Sequence, residues 1–334
     1  MADRRTRRRT FIVRAVGTAL TAASLTTGAL EQAPAKVYRL GFLASGGAAT
    51  SLIGDAITRA LASRGYRLGH ELLVESRSAE GDPRRFPALL KELAAVPVDA
   101  IVSFSYPAAL AAKQAAGDLP IVVIGSGDPV TTGLVASLAR PGGNITGISD
   151  VAAELAPKRL ELLKSAAPTL QKVAMLWNAD DLGMTLRYRA SSAAAATLGV
   201  TVQSLGVREP DDFKQAFAAM DRDPPDGILM VSDALTFLNR QRVFDYVTAH
   251  RLPAIYAIEP WVRAGGLMSY GPDGREIAER AAALIDRILK GAKPADLPFE
   301  EPSRFRFVIN LKTAKALGLA IPESVIARAD EVIE

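Results

Sequence analysis

Apolar and polar positions along this chain alternate between two spacings, and they do so twice in the same order. From Lys36 to about Ile124, and again from Gln171 to about Ile258, an apolar run opens the series (38–43; 173–177) and a small or polar loop follows it. A helical stretch then ends in glycine at Gly65 or Gly199, and a short alternating run comes next (72–76; 200–204). An acidic-plus-proline turn (Asp82-Pro83; Pro210-Asp211) starts another helix, and an Asp-led apolar run follows (99–102; 226–229). A third helix and a Leu-Pro entry into a last run (119–123; 252–256) complete each unit. Strands alternating with helices of this size predict parallel sheets covered by helices on both faces. The fold class is α/β, with two Rossmann-like lobes of similar length and a cleft between them.

Turn-rich clusters mark where the chain passes between lobes. They lie at 139–144, at 264–266 and at 291–302, the last carrying Pro294, Pro298 and Pro302. Three such junctions predict three hinge crossovers. On that reading, residues 36–146 plus 270–300 form the first lobe, and residues 147–269 plus 301–334 form the second. Ile277, Ala281, Leu284 and Ile288 make one stripe of an amphipathic helix that returns to the first lobe. Ala156, Leu160, Leu163 and Ala167 form a similar stripe earlier.

Charge changes the picture at one end only. Residues 1–35 hold six arginines against Asp3 and Glu31, which equals the net +4 of the whole chain, so 34 basic and 34 acidic residues balance from Lys36 on. No basic patch is therefore expected on the folded part, and no nucleic-acid partner. Residues 1–35 read as a cleaved export signal. Arg4 to Arg9 supply the charged region, Ala15 to Leu30 a mildly apolar stretch, and Ala33-Pro34-Ala35 the small-x-small cleavage pattern. Arg8-Arg9-Thr10-Phe11-Ile12 resembles a twin-arginine signal, with a Sec-type signal as the alternative. The chain has no cysteine, hence no disulfide framework and no lipid-attachment thiol. The expected product is a soluble, unanchored periplasmic monomer.

In open parallel sheets, ligands bind beyond the carboxyl ends of the strands, where helix N-termini present free N–H groups. The duplication predicts such loops in pairs. After the first strands they carry Ser45 and Gly46, and Asn178 and Asp180; after the third, Ser103, Ser105 and Tyr106, and Ser232 and Asp233; after the fourth, Asp128, and Tyr256 and Glu259. Tyr270 lies at the second crossing. Hydroxyls and helix N-termini suit a carboxylate, and Asp128, Asp180, Asp233 or Glu259 suit an ammonium. Tyr106, Trp177, Tyr256, Trp261 and Tyr270 suit an apolar or ring-bearing ligand. Taken one at a time, Ser and Asp after a strand serve equally well as plain helix caps.

Other chemistry finds little footing. Gly125-Ser126-Gly127 lacks the third glycine of a dinucleotide loop and leads into Asp128-Pro129. The two histidines, His70 and His250, have no metal-ligand spacing around them, and no G-x-S-x-G elbow occurs. No metal, cofactor or enzymatic activity is expected.

Four stretches carry a family resemblance: Gly127 to Gly147 (GDPVTTGLVASLARPGGNITG), Lys158 to Leu163, Ala264 to Gly271, and Val308 to Leu319. They resemble the ABC-transporter substrate-binding proteins that include the tryptophan/tyrosine-type transporter receptors, over essentially the whole chain beyond residue 35. The resemblance implies the type I periplasmic-binding-protein architecture and an ABC permease of the inner membrane as partner. It also implies a small polar solute as ligand, with an aromatic amino acid as one candidate. Relatives often carry Asn-Pro where this chain has Asn178-Ala179. Alternatives are a ligand-sensing subunit feeding a signalling partner and, further off, an exported enzyme.

Overall fold

A computed structural model describes residues 36–151 and 153–334. The expected export signal at 1–35 lies outside the described residues. The first sheet comprises β1 (Tyr38–Ala44), β2 (Leu72–Ser78), β3 (Ala100–Phe104), β4 (Ile121–Ile124) and β5 (Ile145–Ile148). All are parallel, in the order β2-β1-β3-β4-β5. The second sheet comprises β6 (Lys172–Asn178), β7 (Thr201–Val207), β8 (Gly227–Met230), β9 (Ala254–Tyr256), β10 (Met268–Pro272), β11 (Phe305–Asn310) and β12 (Glu331–Ile333). Its order is β12-β11-β10-β9-β8-β6-β7. Strands β6 to β10 thus repeat the order of β1 to β5, and the duplicated sequence pattern is a duplicated topology.

The strands read as they do because they are covered on both faces. β3 (AIVSF), β4 (IVVI) and β8 (GILM) are buried at every residue, which is what parallel strands under two helical layers require. The connecting helices bury one stripe each. The Phe86–Ala94 helix, for example, buries Phe86, Leu89, Leu90 and Leu93.

The two lobes exchange helices. Beyond β5 the chain enters the Ala156–Ala166 helix, whose Leu160, Leu162 and Leu163 join the core of the second sheet. Beyond β10 it enters the Gly274–Leu289 helix, whose Ile277, Ala281, Leu284 and Ile288 join the core of the first. The chain returns a third time at residues 300–304, where Glu300 bridges to Ile148 at the edge of the first sheet. It re-enters the second sheet beside the carboxyl end of β10, so β11 runs antiparallel to β10 in an otherwise parallel sheet. Sequence periodicity carries no information on strand direction, and this one reversal follows from the point of entry.

Packing explains two glycines of the family-like stretches. A Cβ on Gly147 would overlap the Val123 backbone, and one on Gly271 would overlap the Ala257 carbonyl oxygen. Each stands one residue from the end of a strand that leads into a crossing.

Candidate functional site

Strand order reverses between β1 and β3 in the first sheet and between β6 and β8 in the second. Such switch points leave a crevice at the carboxyl ends of the strands. The two crevices face a common cavity of about 640 Å³, within the range that encloses a small-molecule ligand.

The first lobe contributes Ser45 and Gly46 after β1, Phe104 at the end of β3 with Ser105 after it, and the helix residues Leu52, Ile53 and Ala56. The Ser45 and Ser105 hydroxyls hydrogen-bond each other across the crevice at 2.6 Å. Ser105 sits at φ 109°, a region that side chains rarely adopt, at the start of the Tyr106–Ala115 helix. The second lobe contributes Ser232, Asp233 and Phe237, together with Ala257 to Pro260. The crossings contribute Ser149, Asp150 and Asp273.

Two guanidinium groups lie in this cavity with almost no solvent contact. Arg159, 2% exposed, projects from the Ala156–Ala166 helix, and its Nε donates to the Tyr270 carbonyl oxygen at 2.8 Å. Burial, and then the neighbouring charge of Arg187, bring its pKa down to about 10. Arg187, on the Leu182–Thr197 helix, donates through Nη1 to the Ser232 carbonyl oxygen at 3.0 Å and through Nη2 to the Asp150 carboxylate. Its Nε is buried without a partner among the described residues. Asp150, on the first crossing, also accepts the Gly127 N–H at 3.1 Å, so one carboxylate ties a first-lobe loop to a second-lobe helix.

Asp233 caps the short Ala234–Leu238 helix, its Oδ1 accepting from Leu235 N at 2.7 Å and Thr236 N at 3.0 Å. Its Oδ2 is buried without a partner among the described residues. Burial, with Asp181 nearby, pushes its pKa up to about 6. Asp181, 3% exposed, caps the Leu182–Thr197 helix, and burial raises it as well.

Of the residues expected at the site, the structure brings Ser45, Gly46, Ser105, Ser232, Asp233 and Glu259 to the cavity. Glu259 arrives already paired with Arg263 and Arg306. The others stand elsewhere. Ser103 is wholly buried in β3. Tyr106 is half-buried on the first turn of its helix. Asp128 closes a local turn, accepting from Val130 N at 2.9 Å and Thr131 N at 3.0 Å. Asn178 ends β6 and accepts the Asp180 N–H; Asp180, in the loop before the Leu182–Thr197 helix, is exposed and pairs with Arg208, and the buried capping carboxylate is the next residue, Asp181. Tyr256 is core, edge-on to Phe244 at 5.4 Å and Trp261 at 5.6 Å. Tyr270 borders Arg159 through its main chain, while its ring packs on Phe305. Trp177 stacks on Tyr188 at 4.8 Å, away from the cavity. The aromatic rings that do line the cavity are Phe104 and Phe237. Arg187 lacked any sequence signal of its own; Asp150 was marked only by following the first predicted crossing, and Arg159 only by lying in the family-like stretch Lys158 to Leu163.

Residues 45–333 match the family described as ABC transporter substrate binding protein. The chain belongs to that family. Members bind small solutes and deliver them to a permease. This substrate-binding protein is 27% identical, over 261 residues, to a tyrosine-binding protein of Clostridioides difficile strain R20291, covering 78% of this chain and 75% of that one. Among solved structures, it resembles an ABC domain in complex with L-Trp from Streptococcus pneumonia with a TM-score of 0.82. Identity there is 29%, covering 89% of this chain and all of that one. A conserved domain protein from Vibrio cholerae O1 biovar eltor shares the fold with a TM-score of 0.84 at 24% identity, with 89% and 100% of the two chains covered. These likenesses establish the two-lobed type I periplasmic-binding-protein architecture. Among the described residues no helix is long and apolar enough to cross a membrane.

Proposed function

We propose that this substrate-binding protein is the exported receptor of an ABC importer and closes its lobes on an amino acid with an aromatic or large apolar side chain. The observation that carries the reading is the presence of the Arg159 guanidinium and the Asp150 carboxylate in one inter-lobe cavity that apolar side chains of both lobes also line. The Arg159 guanidinium and the helix N-termini behind Gly46 and Ser105 suit the ligand carboxylate, and Asp150 suits its ammonium. Phe104, Phe237, Ile53 and Ile277 suit the side chain. The likeness to the tyrosine-binding protein of C. difficile and to the L-Trp-bound domain of S. pneumonia supports the same class. Ligand contacts from both lobes favour the closed arrangement, which the permease reads. The twin-arginine-like leader supports delivery to the periplasm, where the receptor acts as a soluble monomer with no enzymatic step.

The test is titration calorimetry and thermal shift of residues 36–334 with L-tyrosine, L-tryptophan, and control sugars, nucleosides and organic acids. Ligand at about 100 times its Kd should stabilise the protein by roughly 2.7 kcal/mol. A response confined to aromatic amino acids supports the reading. A response only to sugars or nucleosides overturns it.

A further inference from the structure

Both buried carboxylates of the cavity region stand where the lobes meet. Gly46, at the end of β1, faces Ala234 so closely that a Cβ on it would lie 3.3 Å from the Ala234 Cβ, and Ala234 follows Asp233 directly. Gly183, two residues beyond Asp181, stands beside the Ser126 carbonyl oxygen and Tyr106 of the first lobe. The Asp181 charge in turn raises the Tyr106 phenol, after the larger effect of burial. First-lobe main chain and side chains thus cover two second-lobe helix caps. Neither Asp181 nor Asp233 forms a side-chain ion pair among those the structure gives; the cation beside them, Arg187, is committed to Asp150 and to the Ser232 carbonyl oxygen.

We propose that lobe closure takes up protons: Asp233, with Asp181 beside it, is hydrated and ionised when the lobes stand apart and is buried as a neutral acid when they meet, so that acid favours the closed form. This deepens the receptor reading and rests on its premise that the lobes open and close. The physical cause is desolvation, which disfavours a carboxylate lacking a counter-ion, and the proximity of a second carboxylate acts in the same direction.

The groups facing the pair are few enough to name. Arg187 faces Asp181 from its own helix and partly offsets the effect there. Asp150 faces Asp181 from the first crossing, already paired with Arg187. Tyr106 faces Asp181 from the first lobe. Arg240, which opens the next helix (Arg240–His250), donates to the Phe237 carbonyl oxygen and lies over the Phe237 ring. With Asp233 titrating at about 6 in the closed form and 3.8 when hydrated, the closed-to-open ratio should rise roughly tenfold from pH 8 to pH 5. Asp181 adds to the change in the same direction.

The test is the inter-lobe distance of the empty protein, measured by spin-label spectroscopy. Because the chain has no native cysteine, Lys91→Cys on the first lobe and Lys214→Cys on the second are the only labelling sites. Both positions are exposed. The expected result is a closed population that grows on acidification without ligand. In Asp233→Asn and Asp181→Asn, both of which retain a capping oxygen, that growth should shrink, with more closed form at pH 8. A distance distribution unchanged between pH 5 and pH 8, or one that opens in acid, overturns the proposal without reference to any variant. L-tyrosine and L-tryptophan serve as closure controls at pH 8. If they close the lobes while pH does not, the inference falls and the receptor reading stands. If neither ligand nor acid moves the lobes, both fall.

Discussion

Arg159 occupies a helix whose Leu160, Leu162, Leu163 and Ala166 bury against the second sheet, and it is itself 2% exposed. A guanidinium in such a place needs partners, and the Tyr270 carbonyl oxygen is one. A planar guanidinium fork is suited to a carboxylate. Arg159→Met is therefore expected to weaken L-tyrosine binding by about 1.5–3 kcal/mol, ten- to a hundredfold in Kd. Asp150→Asn should cost a similar amount, because it removes the acceptor for the ammonium and frees Arg187. Asp128→Ala should leave affinity unchanged, since its carboxylate is spent on the Val130 and Thr131 amides, which hold it ionised against the effect of burial. Calorimetric titration of the three variants checks the set; a loss at Asp128 equal to that at Asp150 would contradict this assignment.

The elements that join the lobes are fastened by specific polar contacts. Glu276, in the first turn of the Gly274–Leu289 helix, accepts from Ser303 N and Oγ, Arg304 N and Arg280, so the third crossing is bound to a first-lobe helix. Desolvation opposes its charge, yet these bonds hold the carboxyl at about 2. A depressed pKa contributes stability at pH values above the ordinary 4.5 that is lost as pH falls toward 2. Glu276→Gln should accordingly lower unfolding stability by about 1–3 kcal/mol at pH 7. The gap should narrow steadily from pH 4.5 toward 2, as Glu276 of the unfolded chain takes a proton that the folded carboxylate does not. Urea unfolding curves at several pH values test this, and a gap independent of pH would place the role of Glu276 elsewhere.

Across the whole molecule, the lobes meet through small residues. Gly46 against Ala234 and Gly81 against Leu238 bring the two surfaces together on one side of the cavity. Gly46 has φ −137° and ψ 157°, an extended conformation open to any residue, so a side chain there acts by bulk alone. Gly46→Leu should wedge the lobes apart, raise the radius of gyration of the liganded protein and weaken binding by about tenfold or more. Fold stability should change little. Small-angle scattering with and without L-tryptophan distinguishes this from local damage, which would lower the melting temperature while leaving ligand-induced compaction intact.

Strand and helix order, the duplication and the three crossings were legible because each rests on local periodicity: a wholly buried strand needs a continuous apolar run, and a surface helix needs one apolar stripe. The loops after β1, β3 and β8 were legible for the same reason, since their position at a strand end follows from the order of elements. Which side chains enter the cavity was decided in three dimensions. Asp150, Arg159 and Arg187 come from a crossing and two separate helices, and no spacing in the chain connects them. The choice between Asp180 and Asp181 turned on the phase of one helix start, and Tyr256 turned inward because a three-residue strand leaves its facing to the sheet. Local pattern determined the scaffold; long-range packing, which buries one charged group and hydrates its neighbour, determined the site.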